Sequence, residues 1–115
     1  ESIKYKQDYL KRMIRNPRLR LNLRNPYMSF LEGVLSRGDR RLSQVILSAF
    51  SLGARFDGWD NYFVFQRWMD AFRCLRINPD FYLREKSKDE FLPWDFLDVG
   101  ITKDFLIKEN EKIVA

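Results

Sequence analysis

Arg37-Gly38-Asp39-Arg40-Arg41 sets three guanidinium groups around one carboxylate within five residues. Arginines clustered this way can hold a phosphate, or fork onto carboxylates. A glycine-containing turn with Asp39 capping the next helix explains the same string, so both uses stay open at this point. An Arg-Gly-Asp adhesion role would need an extracellular protein, and nothing in the sequence suggests one. The other chemistry-bearing groups are the carboxylates Asp57, Asp60, Asp95 and Asp98. Two of them brought together could bind a hard cation or act as acid and base. Their spacing matches no calcium loop, which needs ligands at alternating positions and a distal Glu. Turn and cap aspartates are the plainer account. The chain has no histidine and one cysteine, Cys74. A catalytic thiolate needs a nearby base. Cys74 therefore reads as a small buried apolar residue in the helical string FQRWMDAFRCL. No catalytic residue and no metal ligand is assigned, and a free-standing enzyme is disfavoured.

Charge is the second signal. Residues 1–41 hold eleven Lys/Arg against four Asp/Glu, and residues 42–115 hold ten against twelve, so the net +5 divides as +7 and −2. Lys4, Lys6, Lys11, Arg12, Arg15, Arg18, Arg20 and Arg24 could follow a nucleic-acid backbone. Tyr5, Tyr9 and Tyr27 could offer stacking surfaces. No GXXG loop or aromatic RNP stretch accompanies them, and a charged face is commonly a solvated face. Ten Phe, five Tyr and three Trp are to dominate the core. Trp59, Trp68 and Trp94 fit a core better than a ligand box.

The elements that position these groups read as mainly helical. The 115 residues suffice for a single domain, 1–115, with a basic helix and strand over 1–25 and a helical core over 26–115. Tyr9, Leu10, Met13 and Ile14 form one stripe of a helix over 2–15, which Asn16-Pro17 ends. Leu19, Leu21 and Leu23 alternate with polar residues, which predicts one short N-terminal β-strand over Arg18–Arg24. Asn25-Pro26 closes it. Ser29-x-x-Glu32 reads as a capping box, and Gly38 as a positive-φ turn residue. Leu42, Val45, Ile46, Ala49 and Phe50 form a core stripe that Gly53 terminates. Phe65, Trp68, Met69, Phe72 and Leu75 form another. Asn78-Pro79 opens a short helix, REKSKDE is a charged loop, and Thr102 caps a last helix to about Val114. The fold class is a small helical domain of five to six helices. One cysteine fits a reducing, cytoplasmic setting, and no run approaches the ~18 apolar residues of a membrane span. The chain begins at Glu1 without an initiator methionine, as a trimmed form or a segment of something longer would.

Taken in order, MSFLEGVLSRGDRRL, FDGW, WMDAF, INPDFYL and LPWDFLDVGITKDFL form a distinctive set. Across residues 18–114 the chain resembles the region after the catalytic barrel in a family of uncharacterised radical SAM proteins. These are iron–sulfur oxidoreductase-like, with a cobalamin-binding-like domain before the barrel. The resemblance implies a parent that binds a 4Fe-4S cluster through CxxxCxxC and cleaves S-adenosylmethionine. That motif is absent here, and one cysteine cannot supply three thiolates. The family pattern also implies histidines before Pro26, after FDGW and within LPWD. This chain has Arg24 or Asn25, Tyr62 or its neighbours, and Phe96 there, and Ala54 at a family cysteine position. The expected role is thus an accessory C-terminal domain, non-catalytic alone, packing on the radical SAM barrel of the same parent and helping to shape its substrate site. Arg37, Asp39, Arg40, Arg41, Asp57, Trp59, Trp94, Asp95 and Asp98 make the expected substrate or partner face. The alternative is an RNA- or protein-binding module.

Overall fold

The computed structural model describes residues 3–114. Six helices follow one another: α1 (Ile3–Met13), α2 (Pro26–Ser36), α3 (Leu42–Ser51), α4 (Phe65–Cys74), α5 (Asp80–Leu83) and α6 (Lys103–Val114). The fold is mainly α. Two compact units divide the chain, the first running to Leu83 and the second beginning at Arg84.

The predicted strand over Arg18–Arg24 is not formed, and no strand occurs among the described residues. A lone alternating segment has no ladder to satisfy its backbone groups. Instead the Asn16 side chain accepts the Arg18 N–H at 2.9 Å and a turn follows. Leu19 and Leu21 stay exposed. The Gln7 amide donates to the Arg24 carbonyl at 2.7 Å, tying α1 to this arm.

Asn25-Pro26 opens α2 rather than closing a strand. Asn25 has extended backbone, and its side chain accepts the Tyr27 N–H at 3.0 Å, with Pro26 in the first turn. The proposed capping box at Ser29 is therefore already inside the helix. The same Asn-Pro device opens α5, where Asn78 accepts the Asp80 N–H at 3.0 Å, as the sequence indicated.

α3 packs on α4, and α2 on α5. The core gathers Leu31, Val34, Leu42, Val45, Ala49, Ala54, Trp68, Ala71, Phe72 and Tyr82. Of the expected α3 stripe, Leu42, Val45 and Ala49 are buried, while Ile46 and Phe50 are about half exposed. α4 covers only a narrow strip of α3, so the flanking positions keep their solvent. Cys74, expected to be buried, is exposed at the end of α4.

Both core helices stop on the same motif. After α3, Ala54 N–H returns to the Ala49 carbonyl at 2.9 Å and Gly53 N–H to Phe50 at 3.0 Å. Gly53 takes φ +92. After α4, Ile77 N–H returns to Phe72 and Arg76 N–H to Arg73, both at 3.0 Å. Here Arg76 takes the left-handed position, at φ +55. These are Schellman endings, and an L-residue such as Arg76 in that position costs about 1–2 kcal/mol.

The second unit is organised differently. None of its described residues is fully buried. Polar links hold it. The Arg84 guanidinium forks onto Glu90, and Lys88 reaches Glu111 on α6 at 2.9 Å. Lys103 Nζ donates to the Glu90 carbonyl at 2.7 Å and to Asp95 at 3.2 Å. Thr102 accepts the Phe105 N–H at 3.3 Å and caps α6, as its position before the apolar run indicated.

Candidate functional site

The Arg37–Arg41 turn is a structural clamp around one carboxylate. Asp39 accepts the Arg41 backbone N–H at 2.9 Å and two guanidinium nitrogens of Arg41, the shorter bond at 2.6 Å. The Tyr82 hydroxyl donates to it at 3.4 Å. The Arg41 guanidinium also lies 5.5 Å from the Phe81 ring centroid and 5.7 Å from that of Tyr82. The turn is thereby fastened to α5. The Arg41 side chain holds the Asp39 carboxyl below its ordinary range, against the opposing pull of burial. Burial pushes the Tyr82 phenol up, with the Asp39 charge adding to it. Arg41 is held more firmly protonated by the Asp39 hydrogen bonds. Asp39 and Arg41 are thus committed to each other, and Arg40 is exposed beside them. Gly38 does not have positive φ; among the described glycines only Gly53 and Gly100 do. Its small size matters for space, because a Cβ there would meet Leu42.

The four aspartates form no group of three or more acidic or metal-ligating side chains among the described residues. Asp57 and Asp60 belong to the first unit, Asp95 and Asp98 to the second. Asp57 accepts the Trp68 indole N–H at 2.9 Å, which answers the need of that buried indole. Its other oxygen, Oδ1, is buried without a hydrogen-bond partner among the described residues. Asp60 accepts from the Asn25 amide at 3.3 Å. Asp95 accepts the Leu92 N–H at 2.8 Å. That bond draws its carboxyl below the usual range, Lys103 aiding and burial opposing. Asp98 accepts the Gly100 N–H at 2.8 Å. The LPWD-x-x-D-x-G string is thus two consecutive side-chain-closed turns.

Trp59 does not join the core. Phe56, Trp59 and Tyr62 are 67%, 63% and 59% exposed. They line a recess of about 240 Å³. Phe56 meets Trp59 and Tyr62 edge-on, each at a centroid distance of 6.0 Å. The sequence singled out Trp59, and Tyr62 through the family pattern. It did not single out Phe56, which entered only as the first residue of the FDGW string and as the neighbour of the Asp57-Gly58 turn.

In the second unit, Trp94 is partly exposed, with the Lys86 ammonium 4.9 Å from its ring centroid. Phe91 and Phe96 are 85% and 77% exposed. Trp94, Phe96, Leu97, Val99, Ile101 and Leu106 border a common recess of about 330 Å³. At the other end of the chain, Lys4, Lys6, Lys11, Arg12, Arg15, Arg18, Arg20 and Arg24 are all exposed. Lys11 and Arg24 border a groove of about 650 Å³ with Gln7, Asn22 and Asn25. Lys11 pairs loosely with Asp8, at 3.8 Å, and Arg24 with Glu32, at 3.6 Å.

Compared with protein-family models, curated proteins and solved structures, the chain matches none of them. No group of three or more His, Cys, Asp or Glu side chains that could hold a metal occurs among the described residues. With one exposed thiol, this chain does not fit the three-thiolate cluster that the radical SAM resemblance implies. No described helix is long and apolar enough to cross a membrane.

Proposed function

We propose that the chain is an accessory module, non-catalytic by itself, that packs on another folded body through the apolar surface of residues 91–106. The observation that carries this reading is the second unit's lack of any fully buried described residue, with Phe91, Phe96 and Val99 each more than 70% exposed. Covering one such side chain is worth roughly 1.5–3 kcal/mol. Contiguous apolar patches of this kind mark interaction sites on otherwise monomeric proteins. The resemblance to the post-barrel region of radical SAM proteins names the partner as such a barrel. In this reading the 4Fe-4S cluster, S-adenosylmethionine and cobalamin belong to that partner. This chain would help to close the substrate space and keep water from it. The test is calorimetric titration of the chain with a radical SAM barrel of the resembled family. Stoichiometric binding, lost in the Phe91→Ser/Phe96→Ser variant, is the expected result. Absent binding, or binding indifferent to that variant, removes the proposal.

A second reading rests on the groove between α1 and residues 19–26, where Lys11 and Arg24 stand beside amide side chains and one carboxylate, Asp60. Such a groove suits an RNA backbone. Its affinity would fall steeply with salt, because each neutralised phosphate releases counterions. Lys11→Gln/Arg24→Gln should flatten that salt dependence, and a salt-independent affinity counts against RNA.

A further inference from the structure

The recess between Phe56, Trp59 and Tyr62 has three properties that together specify a ligand. Its walls are aromatic: the three rings are its only lining side chains among the described residues. Ring faces carry negative quadrupole density, so a group enclosed by several rings is best matched when it is cationic. Its volume of about 240 Å³ is below that of drug-sized sites, and it suits a head group rather than a whole cofactor. The segment that carries the rings is acidic in sequence: residues 56–62 contain Asp57 and Asp60 and no Lys or Arg, with Asp57 turned to the Trp68 indole and Asp60 to the Asn25 amide. The neighbouring arginines are engaged elsewhere. Arg55 lies over the Phe50 ring and donates to the Phe50 and Ala54 carbonyls. Arg67 donates to the Gly53 carbonyl at 2.9 Å.

The backbone adds a fourth observation. Phe56 has φ +56, a left-handed conformation that bulky residues rarely adopt. Glycine or asparagine would take it more easily. Strain of this kind persists where the surroundings impose it, and it gathers at ligand clamps. Here it sets the Phe56 ring edge-on to both partners. One carboxylate oxygen of Asp57, next in sequence, is also buried without a hydrogen-bond partner among the described residues.

We infer that Phe56, Trp59 and Tyr62 form an aromatic cage for a quaternary ammonium group. A trimethylated lysine side chain and a choline head group share that chemistry.

The test uses the full chain and follows the Trp59 indole N–H by NMR. Choline, a short peptide bearing trimethyl-lysine, and 3,3-dimethylbutan-1-ol, the neutral isostere of choline, are titrated separately. Saturable binding of either cation, at least about tenfold tighter than the neutral alcohol, is expected, since that factor corresponds to the ~1.4 kcal/mol within reach of a cation over aromatic faces. The peptide arm against the choline arm decides between a modified protein tail and a free head group. Tyr62→Ala should weaken cation binding at least tenfold while far-UV circular dichroism stays unchanged. Tyr62→Phe, which keeps the ring face, should retain most of it. Equal affinity for the neutral alcohol, or no saturable shift with either cation, overturns the assignment.

Discussion

Gly38→Ala adds one methyl group to the turn between α2 and α3. A Cβ there would stand 2.0 Å from Leu42 Cδ1, 3.0 Å from Leu42 Cγ and 3.1 Å from the Val34 carbonyl oxygen. The first contact could be relieved by rotating Leu42 if that side chain were free. It is 4% exposed, in the cluster with Val34 and Val45, so rotation moves a core group out of place. The carbonyl contact remains whichever way Leu42 turns. Forcing an extra methyl into a packed site costs about 1–3 kcal/mol. Replacing glycine stiffens the unfolded chain and returns about 0.4–1 kcal/mol, because φ here is not left-handed. With the packing cost near the middle of its range, about 2 kcal/mol, the net loss is about 1–2 kcal/mol. At roughly 4–8 °C per kcal/mol for a unit of this length, the melting temperature falls by about 4–16 °C. Gly38→Val should fall further. Thermal unfolding by circular dichroism measures the loss, and a double-mutant cycle identifies its cause. Leu42→Ala alone should cost about 2–5 kcal/mol. On that background Gly38→Ala should cost much less than alone, a coupling of about 0.5–3 kcal/mol. Additive losses, or a Gly38→Ala protein that melts unchanged, would refute the packing argument.

Arg76→Gly should stabilise the first unit by about 0.5–1 kcal/mol, since relief of the left-handed conformation exceeds the added freedom of the unfolded chain; a lower melting temperature would show that the Arg76 side chain contributes more than its backbone costs. The Asp39 carboxyl is lowered in the folded state by Arg41. Its contribution is therefore present above the ordinary aspartate value of about 3.9 and is lost as pH falls through the folded value. Urea titrations across acidic pH should show Asp39→Asn less stable than the parent chain near neutrality, with the gap closing below about pH 4; a gap that persists in acid would mean the carboxylate charge is not what matters.

Helical periodicity was legible wherever a helix also had a neighbour to cover it. The Trp68 and Phe72 positions of α4 and the Leu42, Val45 and Ala49 positions of α3 are core. Ile46 and Phe50 share that periodicity and remain exposed, because the width of the covered stripe depends on what packs against it. Asn-Pro is the clearest lesson. At Asn78-Pro79 it reads correctly as a helix start, while at Asn25-Pro26 the preceding Leu alternation suggested the end of a strand. A strand is a property of two segments, and no second one occurs among the described residues. Asp95 and Asp98 were legible as turn residues, as their bonds to Leu92 and Gly100 show, whereas Asp57 and Asp60 accept from the Trp68 and Asn25 side chains and Asp39 does not cap α3, whose N-cap is Arg41 without a side-chain bond. The aromatic recess was not. Whether Trp59 faces the core or the solvent depends on the direction in which the chain leaves Ala54, and that is set by the Schellman ending and the left-handed Phe56 rather than by any periodicity.

Cys74 lies exposed at the end of α4, and the sequence contains no other thiol. These 115 residues therefore offer a single attachment point for a maleimide dye or a nitroxide spin label, with no cysteine among them to remove first. Because the thiol belongs to the first unit, such a reporter would follow the melting of α4 separately from that of α6. Left in air without a reductant, the same thiol would let two copies couple covalently, so reducing agent belongs in the buffer of any measurement of self-association.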